Sequence, residues 1–134
     1  MTPEQARNYL LSKHKTFEYF PFGPDVAVFK VVDKMFATLA EGHALAERED
    51  AKDFYWLNLK CDPHEALILR DIFPSIIPGY HMSKTHWNTI ILDGSVPDGE
   101  TERLIDLSYR LVVESMPKYK QKGILVAGRD DDRE

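Results

Sequence analysis

The chain has little of what would place it in a disulfide-bonded, membrane or exported class. Its one cysteine, Cys61, leaves no partner for a disulfide within the chain. No apolar run approaches the roughly 20 residues that a membrane-spanning helix needs, so no membrane association is expected. The first residues, MTPEQARNYL, lack the basic start and apolar stretch of a secretory signal. We therefore expect a protein of the cytoplasm, where thiols stay reduced.

The motifs of common enzyme classes are also missing. There is no phosphate-binding glycine loop, no nucleophile elbow and no HExxH segment, and the 7 glycines are scattered among turn-like positions. We therefore expect no catalytic residues and no cofactor. Lysine and arginine number 17 against 22 aspartates and glutamates, a net charge of −5, and this acidity weakens a nucleic-acid hypothesis because phosphate binding depends on positive charge.

What is present is an ordinary globular composition with two hydrophobic periods. The 134 residues, 43% hydrophobic and 29% charged, predict one domain with a real core. Segments with a helical period alternate with segments of period two, rich in β-branched and aromatic residues. We predict a two-layer α+β fold, in which the N- and C-terminal helices pack on one face of a twisted antiparallel sheet and a third helix lies between strands.

Start and turn signals divide the chain into elements. Thr2-Pro3 with Gln5 predicts a capped helix to about Lys13, and Asp62-Pro63 with Glu65 predicts a second helix to about Phe73. Between them, strands are predicted over residues 16–20, 26–40 and 54–60, with a tight turn at Asp33-Lys34 and a charged loop over 41–53. Two further strands, 76–82 and 86–92, are predicted to form a second hairpin around Ser83-Lys84-Thr85.

The last helix is the clearest element. It is predicted to be capped by Asp98 and to stop at Pro117, and its predicted buried face is Leu104, Ile105, Ser108, Leu111, Val112 and Ser115. The composition changes abruptly afterwards. We predict a domain of residues 1–118 and a mobile extension of residues 119–134, in which GILVA could add an edge strand.

Histidines and the cysteine are the only candidate metal ligands of note. His81 and His86 would share a sheet face across a two- or four-residue loop and lie on opposite faces across a three-residue loop. No third ligand lies nearby in the sequence, so we expect structural or surface histidines and no metal site. Cys61 precedes a helix start beside Asp62, and a buried, inert thiol is expected.

The segment 80–88, YHMSKTHWN, concentrates aromatic, cationic and amide groups on one predicted hairpin. Aromatic rings can stack on bases, Lys84 can meet phosphate, and Asn88 can bond a base edge. Alternatively, Tyr80 and Trp87 pack against the sheet. The same surface, with Tyr80, His81 and Trp87, could instead bind a protein partner or a small ligand.

Several segments resemble the MmcQ/YjbR family of small bacterial proteins, and together they cover most of residues 16–118. They are PFGPDVAVFKVVDKMFATLA (21–40), LNLKCDP (57–63), IIPGYHMSKTHWNTIILDGSVPD (76–98) and LIDLSYRLVVESMPK (104–118). The resemblance implies a frataxin-like (CyaY-like) α+β fold. Frataxins bind iron through an acidic ridge that includes the first helix, but here Glu4 is the only acidic residue of that helix, so iron binding is not expected.

The resemblance also implies DNA binding through a double-wing arrangement of hairpins. The wing tips would be the two predicted turns, with Lys34, Lys84, His86 and Trp87 as contacts, and Asn88 is the further candidate from segment 80–88. The expected protein is therefore a non-enzymatic DNA-binding monomer. The alternative is a protein-binding adaptor that captures a peptide by strand addition, which an acidic chain suits better.

Overall fold

The computed structural model describes residues 1–42 and 53–124 and confirms the α+β class. Six antiparallel strands form one sheet in the order β1-β2-β3-β4-β6-β5. The strands are β1 (Thr16–Tyr19), β2 (Val26–Val31), β3 (Lys34–Glu41), β4 (Tyr55–Lys60), β5 (Ile76–Pro78) and β6 (Trp87–Ile91). The helices are α1 (Pro3–Leu11), α2 (Pro63–Ile72), α3 (Asp98–Glu114) and α4 (118–124).

The helix starts follow their capping residues at two of three predicted places. Thr2 and Gln5 form the predicted capping box of α1, and the Asp62 carboxylate accepts from the backbone N–H groups of His64 and Glu65 at 3.1 and 3.2 Å. The predicted cap of α3 is wrong. Its first helical residue is Asp98 itself, whose carboxylate lies 2.6 Å from the N-terminal amine.

The buried face of α3 is close to the predicted buried face but is rotated slightly about the helix axis. Leu104, Ile105, Ser108 and Val112 are buried as expected, whereas Leu111 is only partly buried and Ser115 is exposed. The buried stripe is completed by Thr101, Val113 and Met116.

Ser108 fixes α3 against the middle of the sheet. Its hydroxyl accepts from the Lys60 N–H at 2.9 Å and donates to the Phe36 carbonyl at 2.6 Å. One small side chain thereby joins the helix to β3 and β4.

The two faces of the sheet are covered differently. The helices pack on the face that presents Leu57, Leu59 and Ile90, and these residues belong to the main core. The other face presents Trp56 and Ile91, a smaller apolar cluster against which Tyr80 and Ile77 pack. Residues 79–86, called here the 79–86 loop, supply the Tyr80 cover.

The two hairpins differ in how well the sequence predicted them. The β2–β3 hairpin is confirmed, but its turn lies one residue earlier than predicted: Val32, at φ 59°, and Asp33 lie between the paired Val31 and Lys34, and Lys34 begins β3. The second hairpin was predicted too long. β5 stops at Pro78, the 79–86 loop leaves the sheet with His81 at φ 57°, and no strand reaches Ser83-Lys84-Thr85.

The C-terminal boundary differs from the predicted one. Residues 118–124 are helical, and Ile124 is buried in the main core, so the packed domain continues past Lys118. The rest of the predicted extension, 125–134 with most of GILVA, lies outside the described residues. So does most of the charged loop predicted over 41–53. Among the described residues, no helix is both long and apolar enough to cross a bilayer.

Candidate nucleic-acid interface

The antiparallel topology gathers several chain segments at one end of the sheet. Strand pairing places the β2–β3 turn, the end of β4, the 79–86 loop and the start of β1 at this end. The segment after α1 is also there, because the Val32 N–H donates to the Lys15 carbonyl. We call this region, comprising residues 12–15, 32–34, 60–64, 79–86 and 115–122, the hairpin end.

Charge is divided sharply between the two ends of the molecule. The lysines of the hairpin end are Lys13, Lys15, Lys34, Lys60, Lys84, Lys118, Lys120 and Lys122, and its acidic residues are Asp33 and Asp62. At the opposite end, residues 1–4, 20–25, 41–42, 53–54, 71–75 and 92–100 contain no lysine or arginine. Their acidic residues are Glu4, Asp25, Glu41, Asp53, Asp71, Asp93, Asp98 and Glu100. The chain therefore has one basic surface at the hairpin end, although its net charge is negative.

The acidic residue in the β2–β3 turn is paired with a lysine. The Lys120 ammonium lies 3.7 Å from the Asp33 carboxylate, so the turn contributes little net negative charge. Lys34 beside it is exposed and donates to the Ser115 hydroxyl at 3.4 Å. This long, exposed hydrogen bond leaves the Lys34 ammonium able to exchange Ser115 for a phosphate oxygen.

Lys84 and His86 are exposed on the 79–86 loop, as a contact role requires. The Lys84 ammonium donates to the Gly79 carbonyl at 3.0 Å. Since β3 and β6 are separated by β4 alone, Lys34 and the start of β6 are roughly 10 Å apart across the sheet. The structure thus brings Lys34, Lys84 and His86 to one rim.

Trp87 and Asn88 do not belong to that rim, and their predicted contact roles are corrected. Trp87 is 9% exposed and pairs with Lys60 within the sheet, so its ring is not available to stack on a base. Asn88 is 4% exposed, donates to the Ala66 carbonyl at 3.3 Å and accepts from Arg70. Its amide holds α2 to β6.

Arg70 is a residue that the sequence reasoning missed. Its guanidinium donates to the Asn88 side chain at 2.7 Å and to the carbonyls of Lys84 and Trp87. It therefore connects α2 to the backbone at Lys84 and at Trp87, on both sides of His86. In the sequence, Arg70 is a single arginine after a hydrophobic helix segment, and this pattern is a weak indication of a structural role. The partners of Arg70 lie in and beside a loop whose course was not predicted.

Tyr80 and His81 lie at the start of the loop, on the face of the sheet away from the helices. The Tyr80 ring meets Trp56 edge-on at 5.4 Å between centroids and meets His81 at 4.1 Å. The Tyr80 N–H donates to Thr89 at 2.9 Å, and its carbonyl accepts from Asn58 at 3.2 Å. These contacts anchor the start of the loop to the sheet.

Cys61 and the start of α2 offer neither a nucleophile nor an anion site. Cys61 is 4% exposed, and burial, with help from Glu65 and Asp62, raises its pKa to about 11. The thiol is therefore protonated at neutral pH, as expected for an inert cysteine. The first N–H groups of α2 already bond the Asp62 carboxylate, which occupies the place a phosphate would take.

The histidines do not assemble a metal site in the part of the chain that is described. His81 and His86 are exposed and bracket a loop that is not a tight turn, and no group of three or more potential His, Cys, Asp or Glu ligands occurs there.

We expect purified protein to contain no stoichiometric iron or zinc, because two exposed histidines supply half of a usual zinc ligand set. Elemental analysis after chelator-free purification measures this. One tightly held metal ion per chain, lost on His81→Ala or His86→Ala but retained in His14→Ala, would contradict it.

Comparisons with known proteins agree with this fold. The family model described as YjbR matches residues 11–111. The "uncharacterized protein YbdF" of Escherichia coli O157:H7 is 35% identical over 105 residues, which are 78% of this chain and 79% of that protein. The "uncharacterized protein YjbR" of Escherichia coli strain K12 is 37% identical over 93 residues, or 69% and 71% of the two chains. The crystal structure of Deinococcus radiodurans protein DR2400 aligns with a TM-score of 0.77 and 33% identity, covering 92% of this chain and 87% of that one.

Proposed function

The chain belongs to the YjbR family, and we propose that it is a non-enzymatic, cytoplasmic member that binds duplex DNA through its hairpin end. The observation that carries the proposal is the segregation of charge: lysines are concentrated at one end of the sheet, and the described residues of the opposite end include acidic side chains but no lysine or arginine.

This distribution removes the main objection from the sequence. Phosphate attraction acts over about 8 Å at physiological ionic strength, so a duplex at one end of the molecule is largely screened from charges at the other end. The local sign at the contact surface then decides binding more than the net charge of −5 does. The acidic end would repel phosphates and so orient the approach.

The rim also has a suitable size. Six strands spaced by about 4.8 Å give a row roughly 24 Å wide, enough to reach phosphates on both sides of a major groove about 12 Å wide. The β2–β3 turn and the 79–86 loop sit on different strands along this row. They would be the two elements that approach the backbone.

The proposed contacts are to phosphates. Lys34, Lys84 and His86 are exposed candidates from the sequence, and Lys15, Lys118 and Lys122 are exposed residues that the topology adds. With Asn88 and Trp87 inside the protein, the candidate contacts left on this surface are cationic side chains and a histidine, which suit phosphates. The proposal therefore requires weak, salt-sensitive binding with little sequence preference.

Lys84→Ala should lower the slope of log affinity against log salt concentration by about one unit and weaken all duplex sequences alike, because one phosphate contact is lost. Fluorescence anisotropy of labelled duplexes, titrated from low to physiological salt, measures the slope. Lys84→Arg is the matched control and should keep it, since the charge remains.

Two results would contradict this proposal. One is the absence of binding to any duplex at low salt. The other is a salt slope that stays the same when Lys34, Lys84 and Lys122 are all changed to alanine, since binding would then not use the hairpin end.

A second function, capture of a protein segment by strand addition, is favoured by the aromatic residues around the edge strand β1. Phe17, Phe20 and Phe22 are 47%, 49% and 77% exposed, and β1 has a sheet neighbour on one side only. An extended peptide could pair with β1 and cover these rings. A partner retained by the wild type and lost with Phe20→Ser plus Phe22→Ser would support this function, whereas retention would exclude it.

A further inference from the structure

Helix α2 presents an apolar stripe to solvent in addition to its buried side. Leu67, Ile68 and Ile72 are 59%, 46% and 60% exposed, although they are large aliphatic side chains. His64 and Asp71 are exposed as well, and these five residues follow the three- and four-residue spacing of one helix face.

The stripe is not part of the side by which α2 packs on the sheet. The inner side of α2 is formed by Ala66 and Leu69, which are buried in the main core, and by Arg70, which bonds Asn88. That side alone attaches α2 to β5 and β6. Leu67, Ile68 and Ile72 therefore form a second apolar surface, which the described residues leave exposed.

The order of polar residues along the stripe is self-complementary. His64 lies before the apolar pair Leu67-Ile68, and Asp71 lies after it, at matching distances along the helix. When two copies of α2 cross antiparallel about this pair, His64 of each copy faces Asp71 of the second copy. Histidine can donate a hydrogen bond to a carboxylate whether or not it is protonated.

We propose that α2 is the contact surface of a symmetric dimer of this protein, with the two α2 helices antiparallel. A two-fold axis through the Leu67-Ile68 pair buries these side chains against their copies and makes the histidine–aspartate contact twice. The parallel arrangement is disfavoured, because it would set Asp71 against Asp71 and leave both carboxylates without a partner.

The size of the surface sets the strength of the dimer. One short helix pair buries less than the roughly 1,200–2,000 Å² of a standard interface, so dissociation constants in about the micromolar range are expected. The protein would then be a monomer when dilute, as the sequence analysis expected, and a dimer when concentrated.

The inference is independent of DNA binding. Because α2 starts at the hairpin end, an antiparallel pair points the two hairpin ends in opposite directions. If both proposals hold, the dimer presents one basic surface at each end. If DNA binding fails, the dimer is unaffected.

Sedimentation equilibrium of the full chain over micromolar to millimolar concentrations tests the dimer. Wild type should show reversible monomer–dimer association. Ile68→Glu, which puts carboxylates at the two-fold axis, should weaken association at least tenfold. Phe54→Glu, at an exposed apolar position outside α2, is the matched control and should leave association unchanged. Thermal melts should show that both variants fold, since both positions are exposed.

Exchanging the two residues tests the antiparallel register. In His64→Asp, a carboxylate at position 64 faces Asp71 of the second copy, so the dimer should weaken. Adding Asp71→His gives a histidine–aspartate pair again and should restore the dimer. A chain that stays monomeric at all concentrations overturns the proposal. So does a dimer that keeps its strength in Ile68→Glu, because α2 would then not be the interface. Association with only a different protein at α2 would overturn it equally.

Discussion

Phe36→Ala should lower the free energy of unfolding by about 3–5 kcal/mol, the usual cost of removing a fully buried ring. Phe36 is 0% exposed and lies where β3 meets α3. Its ring contacts Tyr109 edge-on at 5.5 Å, and the Tyr109 hydroxyl donates to the His14 carbonyl at 2.6 Å. The cavity would therefore weaken both the core and the attachment of the segment after α1.

Phe22→Ala is the control for this prediction, because Phe22 is 77% exposed and the chemical change is identical. It should shift the free energy of unfolding by less than about 0.5 kcal/mol. Urea denaturation followed by circular dichroism measures both variants. Equal losses in the two variants would mean that Phe36 does not lie in the core described here.

The sequence predicted elements well where the deciding interactions are local. The Thr2–Gln5 box and the Asp62 carboxylate act within one turn of their helices, so residue types alone were enough to locate α1 and α2. The β2–β3 turn is also local. The Asp98 prediction failed because Pro97 takes the capping position, with no side-chain bond, and Asp98 pairs instead with the distant N-terminal amine.

The sequence could not predict which polar strand residues turn inward. Alternation in β6 assigns Asn88 and Thr89 to opposite faces, and both faces are covered, one by α2 and the other by the 79–86 loop. Asn88 therefore appeared to be a contact residue and is a core hydrogen-bonding group. Its partner Arg70 lies 18 positions away, and only the tertiary fold brings the two together.

The charge segregation on which the proposed function rests could not be predicted from the sequence either. Lys15, Lys34, Lys84 and Lys122 are far apart in sequence, and acidic residues are scattered between them. Each strand reverses the chain, so lysines at turns on one side accumulate at one end of the sheet. The strand order, which no local pattern specifies, turns a net acidic sequence into a molecule with one basic end.

Gly79→Ala should destabilise the protein by about 1–3 kcal/mol through overpacking. A Cβ at this position would lie 2.7 Å from the Trp87 Cβ and 3.0 Å from the Trp87 carbonyl oxygen. One is the first side-chain atom of Trp87, at the start of β6, and the other is backbone, so neither can move aside as the end of a flexible side chain could. The strand pair must open at the point where the 79–86 loop leaves the sheet.

Gly99→Ala is the matched control, because nothing lies within 4 Å of the position a Cβ would take there and the residue is in the first turn of α3. It should stabilise the fold by up to about 1 kcal/mol, since alanine loses less backbone freedom on folding. Thermal and urea unfolding compare the two. Because the Gly79 carbonyl accepts from Lys84, Gly79→Ala should also reduce the salt slope of duplex binding, whereas Gly99→Ala should not. An intact salt slope in a destabilised Gly79→Ala protein would show that the contribution of Lys84 to DNA binding does not depend on its hydrogen bond to the Gly79 carbonyl.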